Sequence, residues 1–399
     1  MVRSPQAPGS TSNESPYIMP MTKKIETVPL ISSSMVNRRT LTVVRYGDAA
    51  SGRKAYCQAG LHADEAPGLA VIHYLMSRLD AADAAGNIDA EIILVPISNP
   101  IGISQWRDGL LQGRFDFFDS INFNRNHLDL AVQVAEKVAP LLGEDAATNI
   151  AVIRKAMGDV LQDISFQDEA EQLKHQLLSL AYDADVVLDL HCDHQALLHI
   201  YLGTPLWPQA ADLSAQMGAA VTLLAADSGV TPFDEACSRI WWRLQQKFPD
   251  RPIPPACTSA TIELRGISDV SHEQAAADAE NIFLFLMRRG FVRGKAPEPP
   301  PLISEATLLR GVDYIKADRP GVVLFLKKPG DRVRQGETVA EIINPVYCGE
   351  KKGDGQIISS TDGILFARIY DRFARPGRVL AKVAGKKALR EKGENLLTL

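Results

Sequence analysis

The chain has 399 residues and little of several things that would narrow its role at once. No apolar run approaches about 18 residues, the length a membrane-crossing helix needs. The N-terminus lacks a charged-then-apolar leader pattern, so no secretory signal is expected. Cysteine is scarce: five residues, at positions 57, 192, 237, 257 and 348. An odd, scattered set is no disulfide framework, which makes a reducing, cytoplasmic setting the expectation. There is no basic excess either. The formal net charge is −5, and a nucleic-acid binder would carry a basic face. A local basic pocket for a small anion is still allowed. No G-x-S-x-G elbow and no Gly-rich phosphate loop occur, so covalent serine chemistry and phosphate cradling have no support. What remains is an ordinary globular composition, 46% apolar and 23% charged, with length enough for two or three domains.

The stretch GLHADE at 60–65 organises the rest. It follows an apolar run (GRKAYCQA, 52–59) that reads as a strand, and precedes PGLAVIHYLMSRLDAAD (67–83), which has helical periodicity. Pro67 suits a first helical turn. His62 and Glu65 stand three apart, a spacing that puts an imidazole and a carboxylate side by side at a helix start. A catalytic zinc site takes three protein ligands and keeps one position open. The candidate third ligand is His191, at the end of the β-branched run ADVVLDLHC (184–192). Its neighbour Cys192 faces the other way on a strand and is expected to pack. His73, His194 and His199 are expected to be structural or to surround the site.

The remaining signals fall in order along the chain. AEIILVPISNP (90–100) is a continuous apolar strand ending in a turn. Residues 128–182 read as helical, in the manner of an insertion. Residues 195–203, 219–225 and 260–266 are further strand candidates, and 273–291 is an amphipathic helix. KAPEPPP (295–301) is a stiff linker. The expected organisation is a loose tail at 1–29, a first domain at 30–294, the linker, and a β domain at 302–399.

Five motifs taken together resemble the succinylglutamate desuccinylase/aspartoacylase family, zinc amidohydrolases related to the metallocarboxypeptidases. They are GLHADE, ISNPIG (97–102), GRF with NFNRN (113–126), LDLH (188–191) and TIELRG (261–266). The resemblance implies an α/β fold, a mixed sheet flanked by helices as in zinc carboxypeptidases. It implies one Zn2+ per chain on His62, Glu65 and His191. It also implies a catalytic Glu263, an oxyanion-stabilising Arg114, and Asn124 with Arg125 on the substrate carboxylate. The gap from Arg114 to Asn124 is a few residues long for the family, which leaves Arg107 as the alternative arginine. A structural ion pair with Arg265 is the rival role for Glu263.

The C-terminal pattern, a strand, a G-D-x-V-x-x-G turn, a strand and a D-G-I-L turn, is similar to biotinyl/lipoyl-like β domains. Lys351 and Lys352 lie where such carriers are modified, but without the flanking pattern, so the fold is expected without the attachment. The activity implied is zinc-dependent deacylation of a small N-acyl amino acid or related N-acyl amine. A carboxypeptidase for short peptides, or a degenerate hydrolase acting as a binding protein, are the rival readings. No nucleic-acid or membrane partner is expected, and a homo-oligomer is allowed.

Overall fold

The computed structural model describes residues 21–346, 355–390 and 395–397. Lys351, Lys352 and Cys348 lie outside the described residues. Among those described, nine strands form one mixed sheet. In chain order they are β1 (Lys24–Pro29), β2 (Thr40–Tyr46), β3 (Lys54–Ala59), β4 (Glu91–Val95), β5 (Val186–Asp193), β6 (His199–Gly203), β7 (Val221–Ala225), β8 (Thr258–Gly266) and β9 (Thr307–Leu308). Across the sheet they run β1-β2-β4-β3-β5-β8-β6-β7-β9. The central four, β4, β3, β5 and β8, are mutually parallel. β1 and β2 run antiparallel at one edge, and β6 reverses direction beside β8.

Both faces of this sheet are covered, which explains the near-continuous apolar strands. On one face lie helices α1 (Ala66–Ala84), α5 (Ala211–Met217) and α7 (His272–Arg288). On the other lie α2 (Ala131–Val138), α3 (Ala146–Asp163), α4 (Glu169–Ala181) and α6 (Phe233–Lys247). The 128–182 stretch is therefore a packed layer: Val134, Ile153, Met157, Leu173 and Leu177 are fully buried in it. Local chemistry starts these helices. Asp145 accepts from Thr148 N–H at 2.7 Å, Asp168 from Glu171 N–H at 2.7 Å, and Ser271 from Gln274 N–H at 3.2 Å, each satisfying an otherwise orphaned first-turn donor.

Two domain boundaries differ from the sequence expectation. The tail expected at 1–29 does not extend to Lys24–Pro29, which pairs along its whole length with β2. Its β-branched Ile25, Thr27 and Val28 suit an edge strand, and Asp83 anchors the segment before it through Thr22 and Lys23 N–H. At the other end, Thr307–Leu308 lies past the linker yet adds a strand to the first domain's sheet.

The rest of the C-terminal part is all β. Its main strands are β10 (Val312–Lys316), β11 (Gly321–Phe325), β12 (Thr338–Ile343), β13 (Gln356–Ile358), β14 (Gly363–Arg368) and β15 (Val379–Gly385), in two antiparallel sheets around their own apolar core. This part is clamped to the first domain. β14 pairs antiparallel with Gln195–Ala196, just beyond the end of β5. Lys382 of β15 forms a mostly buried ion pair with Asp193, the last residue of β5. Among the described residues, no helix is long and apolar enough to cross a membrane.

Candidate metal centre and active site

The centre forms where β3 and β5 end. β3 stops at Ala59, and a tight turn carries His62 to the edge of the sheet. That turn is held from the loop after β4: Ser98 N–H and Oγ both donate to Ala59 O at 2.9 Å, and Asn99 Nδ2 donates to Leu61 O at 2.9 Å. The ISNPIG motif is thus the clamp on the histidine loop. Glu65 immediately precedes α1, which presses closely on the sheet at Gly68. A Cβ there would meet Leu190 Cβ and O at 3.0 Å and Ala59 Cβ at 3.1 Å. Only glycine lets α1 sit low enough to bring Glu65 beside the end of β5.

There Glu65 bridges the two histidines. Its Oε1 lies 3.0 Å from His62 Nδ1 and its Oε2 lies 2.9 Å from His191 Nδ1. Cys192 N–H also donates to Oε2 at 3.0 Å. All three side chains are buried, and one ligand atom from each falls within 4.8 Å of the others. This group could hold a metal ion.

The donor set fits such an ion. Each histidine has its second ring nitrogen tied to an acceptor. His62 Nε2 faces Asn122 Oδ1 at 2.8 Å, and that oxygen is identified by also accepting Asn124 N–H at 2.9 Å. His191 Nε2 faces Asp189 Oδ2 at 2.9 Å. Both Nε2 atoms therefore donate, which leaves the two Nδ1 atoms turned on Glu65, where each can ligate a metal ion. An outer carboxylate or amide holding a metal-binding imidazole is the usual arrangement.

The charges at the site lean the same way. Burial pushes the His62 pKa down to about 4, with Arg114 adding to the effect against Glu65. Burial would also lower His191, but the carboxylates of Asp189 and Glu65 outweigh it and hold its pKa well above the ordinary value. The same two carboxylates favour a divalent cation at that place. Glu65 is buried too, yet His62, His191 and Arg114 keep it ionised.

Arg114 reaches the centre from a long loop. Its NH2 donates to Glu65 Oε1 at 2.6 Å, and its NH1 lies 3.5 Å from His62 Nε2. Gly113 makes the approach possible. Its carbonyl accepts Ala63 N–H at 3.0 Å, and a Cβ on it would sit 2.4 Å from Asp64 N. Arg107, the alternative arginine, lies in a two-residue strand of the same loop with its side chain 78% exposed, and lines neither cavity described below.

A cavity of about 90 Å³ adjoins the cluster. His62, Arg114, Asn124, Arg125, His191 and Glu263 all line it. Asn124 is buried with its Oδ1 accepting Phe233 N–H at 2.8 Å and its Nδ2 3.3 Å from His191 Nε2. Arg125 is buried alongside, its NH1 donating to Asn124 O at 2.7 Å. Glu263 ends the parallel run of β8 directly beside His191 in register. Burial, reinforced by the charge of Glu65, pushes its pKa up to about 7. The rival ion pair with Arg265 is absent: Arg265 turns away to Asp278 of α7. The register slips between Glu263 and Gly266, and Arg265 takes a φ of 70°, so the two no longer share a face.

The β domain closes the cavity with Tyr314 and Lys382, and Leu397 completes that side. Outside lies a larger cavity of about 970 Å³, sharing Arg114, Asp193 and Lys382 and lined further by Arg368, Arg375 and Arg378. This is a local basic surface on a chain of net negative charge. His194 packs on Tyr370 with ring centroids 5.1 Å apart, and His199 is fully buried with Nδ1 2.8 Å from Leu197 O, so neither belongs to the cluster. Sequence reasoning missed Asn122 and Asp189. Asp189 had a signal, since it stands two residues before His191 on the same strand face.

A His, Glu, His cluster, two arginines and a buried glutamate thus gather at one edge of a mixed α/β sheet. Residues 51–286 match the Succinylglutamate desuccinylase/Aspartoacylase catalytic domain, and the chain belongs to that family. It is 24% identical over 356 residues to N-alpha-acetyl-L-2,4-diaminobutyric acid deacetylase of Halomonas elongata, covering 86% of this chain and 84% of that protein. A family protein from Shewanella amazonensis SB2B superposes with a TM-score of 0.80 at 25% identity, over 91% of this chain and 98% of its own. The product-bound ectoine utilization protein EutE (DoeB) of Ruegeria pomeroyi gives 0.62 at 14% identity, over 92% and 97%, and speaks to the fold alone.

Proposed function

We propose that the protein hydrolyses the amide bond of a small N-acyl amino acid or related N-acyl amine, with one zinc ion on His62, Glu65 and His191. The observation that carries this reading is the convergence of both Nδ1 atoms on Glu65, with Glu263 lining the same cavity. Zinc held at this place would supply a Lewis acid. The rest is the work of the chain's own residues. Glu263 takes the proton of the attacking water and returns it to the leaving nitrogen, which departs badly as an anion. Its raised pKa, about 7, suits a group that must do both near neutrality. Arg114 donates to the oxygen that becomes negative as the carbonyl is attacked. Arg125 holds the substrate carboxylate with its planar fork, next to Asn124.

The basic outer cavity fits the approach of an anion, since like-signed walls focus field on the opposite charge. The small inner volume, closed partly by Tyr314 and Lys382, speaks against long peptides and favours a single small amide over a short peptide. An intact set of candidate ligands, base and arginines speaks against a purely binding role. The lipoyl-like character of the β domain belongs to the same proposal: it would act here as a wall of the site. The test is a panel of N-acyl amino acids offered to zinc-loaded and to chelated protein. Release of free amine by the loaded form alone is expected. Equal rates in both forms would refute the zinc role, and no hydrolysis of any panel member would refute the activity.

A further inference from the structure

One group in the inner cavity has no part in this chemistry. Asp234 stands in the first turn of α6 and lines the cavity together with Arg125, His191, Thr261 and Glu263. Its side chain is only 5% exposed, and its Oδ1 makes no hydrogen bond. The adjacent Glu235 differs in having a cation beside it: its Oε1 accepts Ser228 N–H at 2.9 Å, and its Oε2, though without a hydrogen bond, lies 3.5 Å from Arg239 NH1. Asp234 has no cation of its own among the described ion pairs.

A buried carboxylate oxygen without a partner is costly, and one that lines a substrate cavity can be repaid by the substrate. Acidic residues are common in first helical turns because the helix N-terminus favours negative charge. That explains an exposed first-turn acid, but not one withdrawn from water into a reactive cavity with an oxygen left over. We propose that Asp234 is a specificity residue that receives a second, positively charged amine of the substrate. The substrate class is then an N-acyl amino acid that keeps a free ammonium group as well as its carboxylate. This inference rests on the deacylase reading above.

The electrostatics agree. Burial, with Glu235 and Asp189 nearby, pushes the Asp234 pKa up to about 8 in the absence of a bound cation. An ammonium group placed against it would restore the charged form and form a charge-assisted hydrogen bond. The cavity would then read the substrate at two points of opposite sign, Arg125 for the carboxylate and Asp234 for the ammonium. A substrate with a second carboxylate would find no cationic partner at Asp234 and would be disfavoured.

The experiment compares kcat/KM for matched substrates on zinc-loaded protein. The set is an Nα-acetyl amino acid with a short side-chain amine, its isostere with a methyl group for the ammonium, and one with a side-chain carboxylate. Wild type should prefer the amine over the isostere by about 10–100-fold, the worth of one hydrogen bond to a charged group. Asp234→Asn should lose that preference by slowing the amine substrate and leaving the isostere within about threefold. Asp234→Ser is the second variant, should the first fail to fold, and should show the same loss. Calorimetric binding of the deacetylated diamino acid gives a readout independent of turnover, and should weaken in parallel. Hydrolysis of the isostere as fast as the amine, or a preference that survives both substitutions, overturns the role of Asp234 while leaving the deacylase reading intact. Failure of all three substrates overturns both.

Discussion

Asp189→Asn should weaken zinc binding without unfolding the protein. Asp189 is the middle of a buried, directional chain of hydrogen bonds. Tyr56 Oη donates to Gln58 Oε1 at 2.7 Å, Gln58 Nε2 donates to Asp189 Oδ1 at 2.9 Å, and His191 Nε2 donates to Asp189 Oδ2 at 2.9 Å. Every donor in the chain points at an acceptor, and only a carboxylate can receive from both sides. Asparagine offers one oxygen. Its NH2 must face the N–H of either His191 or Gln58, and Gln58 is not free to turn over because Tyr56 already donates to its oxygen. The substitution also removes the negative charge that makes His191 a better donor to a metal. Loss of such an outer partner weakens metal binding by about 10–100-fold, or about 1.4–2.7 kcal/mol. A competition titration against a chromophoric chelator reads the zinc affinity, and a far-ultraviolet melt verifies the fold. Unchanged affinity in a folded variant would show that the chain of bonds does not orient His191 for a metal.

Further outcomes follow from the same geometry. Arg125→Lys should lower kcat/KM by about 1.5–3 kcal/mol, since an ammonium cannot form the planar fork, and amidating the substrate carboxylate should cost wild type about as much but the variant little. Gly113→Ala should reduce kcat with the fold retained, because its Cβ would sit 2.4 Å from Asp64 N and displace Arg114; steady-state kinetics beside a melting curve reads both. Metal-stripped Glu263→Gln should melt higher than wild type at pH 8. The folded pKa of Glu263, about 7, lies above its ordinary 4.5, so wild type loses stability as pH rises through that window, and glutamine does not. The difference should shrink towards pH 4.5, and a pH-independent difference in melting temperature would refute the buried, uncompensated state of this carboxyl.

The cluster of His62, Glu65 and His191 was legible because strands announce their ends. Apolar runs stop at Ala59, at His191 and at Glu263, and parallel neighbours bring those ends to one edge. The partners that make the site specific were less visible. Asn122 sits in an irregular loop with no periodicity to mark its direction. Asp234 looks, in sequence, like any acid in a first helical turn. Arg114 and Arg107 could not be separated by spacing. What separates them is Gly113, whose missing Cβ lets the loop lie against Ala63 and Asp64. Alternation failed at Arg265 because the register of β8 slips after Glu263. The closing of the cavity by the β domain depends on contacts between residues far apart in the chain, Asp193 with Lys382 and Gln195 with Arg368, which no local pattern encodes.

The central claim is that a metal held by His62, Glu65 and His191 works with Glu263 as the proton carrier. Glu263→Gln keeps the size of the side chain and removes its basicity. Zinc content and single-substrate kinetics, measured on one preparation of this variant, test the claim most directly. The account predicts one zinc per chain, an unchanged fold, and a kcat lower by about 10²–10⁴, the usual worth of general acid–base catalysis. A kcat near that of wild type would contradict the role of Glu263, and loss of the zinc would mean that Glu263 is a ligand and the metal site has been misassigned.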